Sequence, residues 1–243
     1  MPLISFVIPT LEEEKVIGKI LKNLREIKSF DYEIIVSDGG SKDKTLEIAK
    51  SLADKVVENR PGHRQTIAEG RNQGAAEATG EYIVFMDADV TIFDPDVFFQ
   101  RALEDFKKVP NLVALGGWIK VLPEMETLGD MFWGNIMSNW SFVLHNNILK
   151  IGGNGGEFGM VRADVFKKLG GYDQSLTASE DFEFFSRLAK AGRVLTDTKL
   201  VFYHTGRRAH KVGWPRLLFS WWKEYLYVNI LHRSHTEEWK VIR

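Results

Sequence analysis

Short apolar runs alternate with amphipathic stretches over the first 115 residues. Apolar residues recur at helical spacing in the stretches between the runs, which predicts helices there. Alternating strands and helices indicate βαβ units, and hence an α/β fold with a mostly parallel central sheet flanked by helices. The runs are rich in Val and Ile, as in strands buried on both faces, and lie at Ile4–Ile8, Glu33–Ser37, Lys55–Glu58, Tyr82–Met86 and Leu112–Leu115. The predicted helices are Glu14–Lys28, Lys44–Leu52, Gln65–Ala78 and Asp96–Lys108.

The pattern changes after about residue 116, where glycine-rich turns interrupt it. Further elements are predicted as helices at Asp164–Leu169, Glu180–Ala191 and Trp214–His232, with one or two strands within Arg193–Tyr203. We expect one catalytic domain over 1–206, divided into halves 1–115 and 116–206. A basic, aromatic-rich helical extension is expected over 207–243.

The charge balance of the chain is uneven. The 243 residues carry 32 Lys and Arg against 33 Asp and Glu, for a net charge of −1, which argues against a nucleic-acid partner. Residues 207–243 carry a net charge of +5 and the preceding residues a net charge of −6. The absence of cysteine excludes disulfides, thiolate nucleophiles and Cys-based metal sites. We expect neither a signal peptide nor a membrane span, and hence a cytoplasmic protein.

Acidic residues follow three of the predicted strands, in the segments Thr10–Glu14, Ser37–Asp43 and Asp87–Asp89. Ligands of parallel sheets bind beyond the carboxyl ends of the strands. A group of carboxylates there suits a hard divalent cation or sugar and ribose hydroxyls. Asp87 and Asp89 share one side of an extended backbone because they are two residues apart. The alternative for this pair is a turn before Asp94-Pro95.

Six motifs, in this order and spacing, resemble those of the family 2 inverting glycosyltransferases with the GT-A fold. The resemblance spans roughly Pro2 to Tyr203. The motifs are Phe6-Val7-Ile8-Pro9-Thr10, Val36-Ser37-Asp38-Gly39-Gly40-Ser41, Arg71-Asn72-Gln73-Gly74, Asp87-Ala88-Asp89, Gly170-Gly171-Tyr172-Asp173 and Glu180-Asp181.

The resemblance implies a nucleoside-diphosphate-sugar donor and assigns residues to it. Pro9, Leu11 and Glu13 would line the base and ribose, although Leu11 and Glu12 stand where the family usually has an aromatic residue and Asn. Asp38 would bind the base, with a turn role as its alternative. Arg71 would contact the nucleotide or brace Asp87, with a surface ion pair to Glu69 or Glu77 as its alternative. Asp87 and Asp89 would hold the ribose and the metal–diphosphate.

The resemblance also implies a general base and a divalent metal, Mn²⁺ or Mg²⁺. Asp181 would deprotonate the acceptor. Glu180 is the second candidate, but adjacent helical residues point about 100° apart, so one of them should face the sugar. Asp89 would bind the metal, with His204 as a further ligand or as a structural histidine. Arg207 and Arg208 would clamp the diphosphate, or form a solvated basic pair.

The acceptor side is rich in aromatic residues. All seven Trp follow residue 117, and Trp and Tyr suit sugar stacking or a lipid headgroup zone. The composition of Trp214–Ile230 fits an interfacial amphipathic helix, which would place the protein peripherally on the inner face of the membrane with a lipid-linked acceptor. The alternatives are a helix packed on the catalytic domain and a homodimer interface.

The sequence thus predicts a metal-dependent inverting glycosyltransferase acting on an acceptor hydroxyl or phosphate of a glycan or lipid-linked molecule. One alternative is a sugar nucleotidyltransferase, which should carry a Gly-rich, basic loop where this chain has Thr10–Glu14. The other is a non-catalytic nucleotide-sugar-binding module of the same fold.

Overall fold

The computed structural model describes residues 2–60, 62–231 and 233–236. Within them the chain forms a sheet of seven strands with helices on both faces. The strands are β1 (Ile4–Thr10), β2 (Tyr32–Asp38), β3 (Lys55–Glu58), β4 (Tyr82–Met86), β5 (Leu112–Val121), β6 (Phe158–Arg162) and β7 (Arg193–His204). The helices are α1 (Ile17–Leu24), α2 (Thr45–Leu52), α3 (Ile67–Ala76), α4 (Pro95–Lys108), π1 (Asp130–Ser138), α5 (Asn139–Val143), π2 (Leu144–Ile148), α6 (Ala163–Lys168), α7 (Glu180–Ala191), α8 (Arg207–Val212) and α9 (Trp214–Leu231).

The order of the strands confirms a mostly parallel sheet. It is β3-β2-β1-β4-β6-β5-β7. β1 pairs in parallel with β2 and with β4, β2 pairs in parallel with β3, and β5 pairs in parallel with β7. β6 runs antiparallel between β4 and β5. The carboxyl ends of β1, β2 and β4 therefore meet at one edge of the sheet, together with the amino end of β6.

The core lies on both faces of the sheet. Ile4, Phe6 and Ile8 of β1 pack on the side of α1 and α4, whereas Val7 packs on the side of α3, α6 and α7. Alternate side chains of a strand point to opposite faces, so a strand covered on both faces must be apolar at successive positions. This is why the apolar runs located these strands.

Local sequence signals fix where two of the helices begin. Thr66 and Glu69 form a capping box at the start of α3, with Thr66 Oγ1 accepting from Glu69 N at 3.2 Å and Glu69 Oε2 accepting from Thr66 N at 2.7 Å. Asp94 caps α4 by accepting from Val97 N at 3.1 Å. The first of these caps fixes the helix that carries Arg71.

The structure confirms the five amino-terminal strands and the predicted helices, and it adds elements that the sequence did not indicate. The region Arg193–Tyr203 forms one strand, and β6, π1, α5, π2 and α8 were not predicted. The predicted tail helix is α9, whereas His232 and residues 237–243, Trp239 among them, lie outside the described residues. In the described part of the chain, no helix is both long and apolar enough to cross a membrane.

Candidate functional site

A cavity of about 880 Å³ opens at the carboxyl ends of β1 and β4. Pro9, Leu11 and Glu13 line it from the end of β1, and Asp87 and Asp89 line it from the end of β4. The other predicted residues that line it are Arg71, Glu180, Asp181, His204, Arg207 and Arg208. The fold thus collects residues that are up to about 200 positions apart in the chain around one volume, at the edge where parallel sheets bind ligands.

Asp38 is the predicted site residue that does not line this cavity. Its Oδ2 accepts from Gly40 N at 3.0 Å and from Ser41 N at 2.9 Å. Its Oδ1 accepts from Ser41 Oγ at 2.6 Å and from Thr10 Oγ1 at 3.2 Å. The side chain is buried, and its described hydrogen bonds hold the turn after β2 and tie it to the end of β1, which corresponds to the turn role given as its alternative. Gly39 lines the cavity in its place.

Two carboxylates on the rim share one arginine. Arg207 Nη2 and Nη1 donate to Glu13 Oε1 and Oε2, each at 2.8 Å, and Arg207 Nε lies 3.3 Å from Asp89 Oδ2. Thr205 Oγ1 also donates to Asp89 Oδ2, at 2.5 Å. Arg207 is therefore part of the rim rather than a solvated surface residue.

Arg71 connects the two ends of the site. Its side chain is 1% exposed, and its Nη1 donates to Glu180 Oε1 at 2.8 Å and to Asp181 Oδ1. Its Nη2 donates to Gly156 O at 3.0 Å and lies 3.6 Å from Asp87 Oδ1. Burial alone would lower the pKa of this guanidinium, but the carboxylates of Asp181, Glu180 and Asp87 raise it. The alternative of a surface ion pair to Glu69 or Glu77 is wrong.

Asp181 lies at the start of α7 and faces the cavity. Ser179, at the position before the helix, has a left-handed backbone with φ of 60°, and its side chain makes no capping hydrogen bond. Gly156 passes so close that a Cβ there would lie 2.2 Å from Asp181 Oδ2. Burial raises the pKa of Asp181 well above its usual range, and Glu180 adds to the shift while Arg71 opposes it.

Glu157 is a residue of this site that the sequence analysis missed. It lines the cavity beside Asp87, whose backbone N donates to Glu157 O at 3.1 Å. Antiparallel pairing of β6 with β4 places Phe158 opposite Met86, and so brings the residue before β6 to the residue after β4. Burial raises the pKa of Glu157 to about 8, and the Asp87 carboxylate adds to the shift. The Gly-rich run before it gave a weak signal, but only the antiparallel register shows its partner.

The acidic end suits a divalent cation through the chemistry of its donors. Burial raises the pKa of Asp87 to about 6, and the nearby Asp89 and Glu13 add to the shift while Arg71 opposes it. Burial also lowers the pKa of His204, which favours the neutral imidazole that binds metals. Among the described residues no three acidic or histidine side chains converge closely enough to hold an ion as they stand. The oxygen and imidazole donors nevertheless match those that Mn²⁺ and Mg²⁺ take in proteins.

Comparison with known proteins identifies the class of this fold and site. The family model described as glycosyl transferase family 2 matches residues 5–170. The chain therefore belongs to glycosyl transferase family 2, and its fold is the GT-A type that the motifs implied.

Particular relatives place the chain more closely. It is 30% identical over 220 residues to the succinoglycan biosynthesis protein ExoA of Rhizobium meliloti, a match that covers 81% of this chain and 62% of ExoA. Its fold is similar to that of a mannosyltransferase from Pyrobaculum calidifontis in complex with GDP-Man and Mn²⁺, with a TM-score of 0.64, 22% identity and coverage of 88% of this chain and 59% of that one. It is also similar to glucosyl-3-phosphoglycerate synthase from Mycobacterium tuberculosis in complex with Mn²⁺ and UDP, with a TM-score of 0.59, 18% identity and coverage of 93% and 79%.

The chain thus spans less than two thirds of the length of ExoA and of the mannosyltransferase.

Proposed function

We propose that this glycosyltransferase moves a sugar from a nucleoside-diphosphate sugar to an acceptor hydroxyl or phosphate in one displacement, with inversion at the anomeric carbon. The observation that carries the proposal is the arrangement around Arg71. Asp181 on one side and Asp87 with Asp89 on the other line the same cavity, and one buried guanidinium contacts Asp181 and Asp87. A base and a donor-binding acid pair facing one volume are what a single displacement requires.

The donor occupies the end of the cavity at β1 and β4 in this proposal. Pro9 and Leu11 line the base and ribose, and Asp87 accepts a hydrogen bond from a ribose hydroxyl. Glu13 holds Arg207 in the rim through two hydrogen bonds, which leaves a guanidinium beside the acids for the diphosphate. Arg208 lines the same cavity.

Asp89 and His204 would hold the divalent cation. When bound, Mn²⁺ or Mg²⁺ supplies positive charge that stabilises the leaving diphosphate. Two proteins of similar fold are described in complex with Mn²⁺ together with GDP-Man or UDP, which supports this assignment. The hydroxyl of Thr205 donates to Asp89 Oδ2 and restricts the orientation of that carboxylate.

Asp181 acts as the general base. It takes the proton of the acceptor hydroxyl as the oxygen attacks the anomeric carbon from the face opposite the diphosphate. A pKa raised above that of an ordinary aspartate makes the carboxylate a stronger base. Glu180 pairs with Arg71 at 2.8 Å, and we assign it to holding that guanidinium. Family membership favours transfer over the sugar nucleotidyltransferase and binding-module alternatives.

Hydrolysis of the donor tests the base and the stereochemistry together, because water takes the place of the acceptor. We expect Asp181→Asn to bind UDP or GDP as the wild type does while hydrolysis of UDP-glucose or GDP-mannose falls at least about 100-fold. Glu183→Gln, on the same helix, is the matched control and should keep the rate. The first hexose formed from these α-linked donors should be the β anomer by NMR. An unchanged rate in Asp181→Asn, or an α product, would overturn the proposal.

The peripheral membrane contact, the homodimer, the cytoplasmic location and the boundary near residue 206 remain predictions from the sequence.

A further inference from the structure

The cavity continues beyond the acids into an apolar, aromatic end. This end lies between the helices π1 and α5 on one side and α9 on the other. Side chains of both walls face it, and they are Met137 and Phe142 on the first side and Trp214, Leu218, Trp221 and Tyr225 on the second. We call this part of the cavity the aromatic groove. In the proposed function the donor nucleotide and its sugar occupy the acidic end of the cavity, so they do not account for this lining.

Buried polar contacts hold the two walls of the aromatic groove together. Asp130 of π1 is fully buried and accepts from Trp214 Nε1 at 2.8 Å, and its Oδ2 lies 2.7 Å from His210 Nε2. Gly134 lets the indole approach closely, since a Cβ there would lie 2.9 Å from Trp214 Cζ2. The groove is therefore a built feature of the fold rather than a gap between loosely placed helices.

The aromatic groove leads directly to the proposed base. Phe182, the residue after Asp181, makes an edge-on contact with Tyr225 of α9, with ring centroids 4.8 Å apart. Phe182 also makes an edge-on contact with His145 of π2, with ring centroids 5.2 Å apart. A molecule that lies in the groove thus has one end next to Asp181.

The mouth of the aromatic groove is apolar, and basic residues line the same cavity. Met137 and Trp222 line the cavity and are nevertheless 50% and 58% exposed. Exposed apolar surface of this kind marks a site that takes an apolar ligand or surface. Of the five Lys and Arg in the segment Arg207–Leu231, Arg207 and Arg208 line the cavity. This combination is complementary to an anionic amphiphile, and the enclosure of the groove next to Asp181 suits a chain-like molecule rather than a folded partner.

We propose that the aromatic groove binds the apolar chain of a lipid-linked acceptor, with the phosphate of that acceptor beside Arg208 of α8 and its reactive end at Asp181. This inference names the acceptor class of the proposed transferase and rests on that function. The side chains of the two walls contact the apolar chain of the acceptor. Recognition therefore depends on the length of that apolar chain together with the attached phosphate.

Binding of a short soluble analogue tests the inference. The probe is citronellyl phosphate, a ten-carbon isoprenoid monophosphate, below the concentration at which it forms micelles. Tryptophan fluorescence and the shift in melting temperature report binding, because a ligand of the native state raises the melting temperature. We expect saturable binding at least 10-fold tighter than that of methyl phosphate or of citronellol. Equal binding of methyl phosphate would overturn the inference, since it would leave the apolar chain without a role.

Paired variants localise the site. Leu218→Asp and Met137→Asp each place a charge in the groove and should weaken the analogue at least 10-fold, and Met137 is exposed enough for its variant to fold. Phe219→Asp is the control, because Phe219 neighbours Leu218 on α9, is 63% exposed and does not line the cavity. All three should bind UDP or GDP with Mn²⁺ as the wild type does, which separates this inference from the proposed function. Equal weakening by Phe219→Asp would contradict it by indicating adsorption to the surface.

Discussion

Replacement of Arg71 by Met removes the positive charge from the centre of the site while keeping much of the side-chain volume. In the wild type, Arg71 forms direct ion pairs with Asp181 and Glu180 and lies 3.6 Å from Asp87. In the variant these three carboxylates lie close together with no positive charge to compensate them. Loss of one partner of a buried ion pair costs about 3–5 kcal/mol. In a chain of this size that corresponds to a fall of roughly 10 °C in melting temperature.

The pH dependence of this loss distinguishes charge from packing. Without Arg71 the pKa values of Asp181 and Asp87, which burial already raises, rise further above their values in the unfolded chain. The ionised acids therefore destabilise the fold at high pH, and protonation relieves the repulsion as pH falls. We expect the difference in unfolding free energy between wild type and Arg71→Met, measured by urea titration, to be larger at pH 8 than at pH 5.

Arg162→Met serves as the matched control. Arg162 is 35% exposed and lies 3.4 Å from Asp164 and 3.8 Å from Glu81. A partly exposed pair of this kind contributes about 1 kcal/mol or less, so the control should lose little at either pH. A loss below about 1 kcal/mol for Arg71→Met, or an equal loss at pH 5 and pH 8, would refute the ion-pair account.

Two further predictions concern the scaffold. Gly74→Ala should destabilise the protein by about 1–3 kcal/mol despite the helix propensity of Ala, because the new Cβ would lie 2.5 Å from Val7 Cγ1. Gly18→Ala, whose nearest neighbour is 3.4 Å away, should instead stabilise by up to about 1 kcal/mol in the same urea titration. Burial would raise the pKa of Glu33, but hydrogen bonds from two hydroxyls and a backbone N–H lower it to about 2. The ionised Glu33 therefore stabilises the folded state fully above about pH 4.5, and this contribution is lost as pH falls toward 2. Glu33→Gln should be less stable at pH 7 and should flatten that acid limb, and an unchanged limb would contradict the assignment.

The sequence predicted those parts of the fold in which burial is periodic. β1 and β4 are covered on both faces, so their apolar runs stand out, and α1 buries Ile17, Ile20, Leu21 and Leu24 on one stripe. The acids after β1 and β4 could be placed together because parallel neighbours must end at the same edge. The sequence therefore predicted which strand ends meet at the site, but not the distances between its side chains.

Other parts of the site could not be predicted because they depend on contacts between distant segments. The resemblance placed Arg71 at the nucleotide or beside Asp87, but its contacts with Glu180 and Asp181 depend on α7, which brings these acids to it from 109 and 110 positions away. Glu157 becomes a neighbour of Asp87 only through an antiparallel strand that interrupts the βαβ pattern. For Asp38 the sequence left two roles open, because the same residues are typical of a turn and of a base-binding motif.

The aromatic tail shows the same limit. Its composition suited a membrane surface, a partner subunit or the catalytic domain equally well. The structure packs α9 against the domain, with Trp214 on Asp130 and Tyr225 on Phe182, while Phe219 and Trp222 stay exposed. One helix thus contributes to the cavity and to the surface at once, a division that composition alone does not reveal.

Metal-dependent binding of a nucleoside diphosphate tests the central claim most directly. UDP and GDP would be titrated by calorimetry, with and without Mn²⁺, against the wild type, Asp89→Asn and the control Asp164→Asn, whose carboxylate is 73% exposed on α6. We predict that Mn²⁺ tightens binding of one nucleotide at least 10-fold in the wild type and in the control, and that Asp89→Asn loses this gain. Binding of equal strength with and without Mn²⁺ in all three proteins would contradict a donor site built on Asp87 and Asp89.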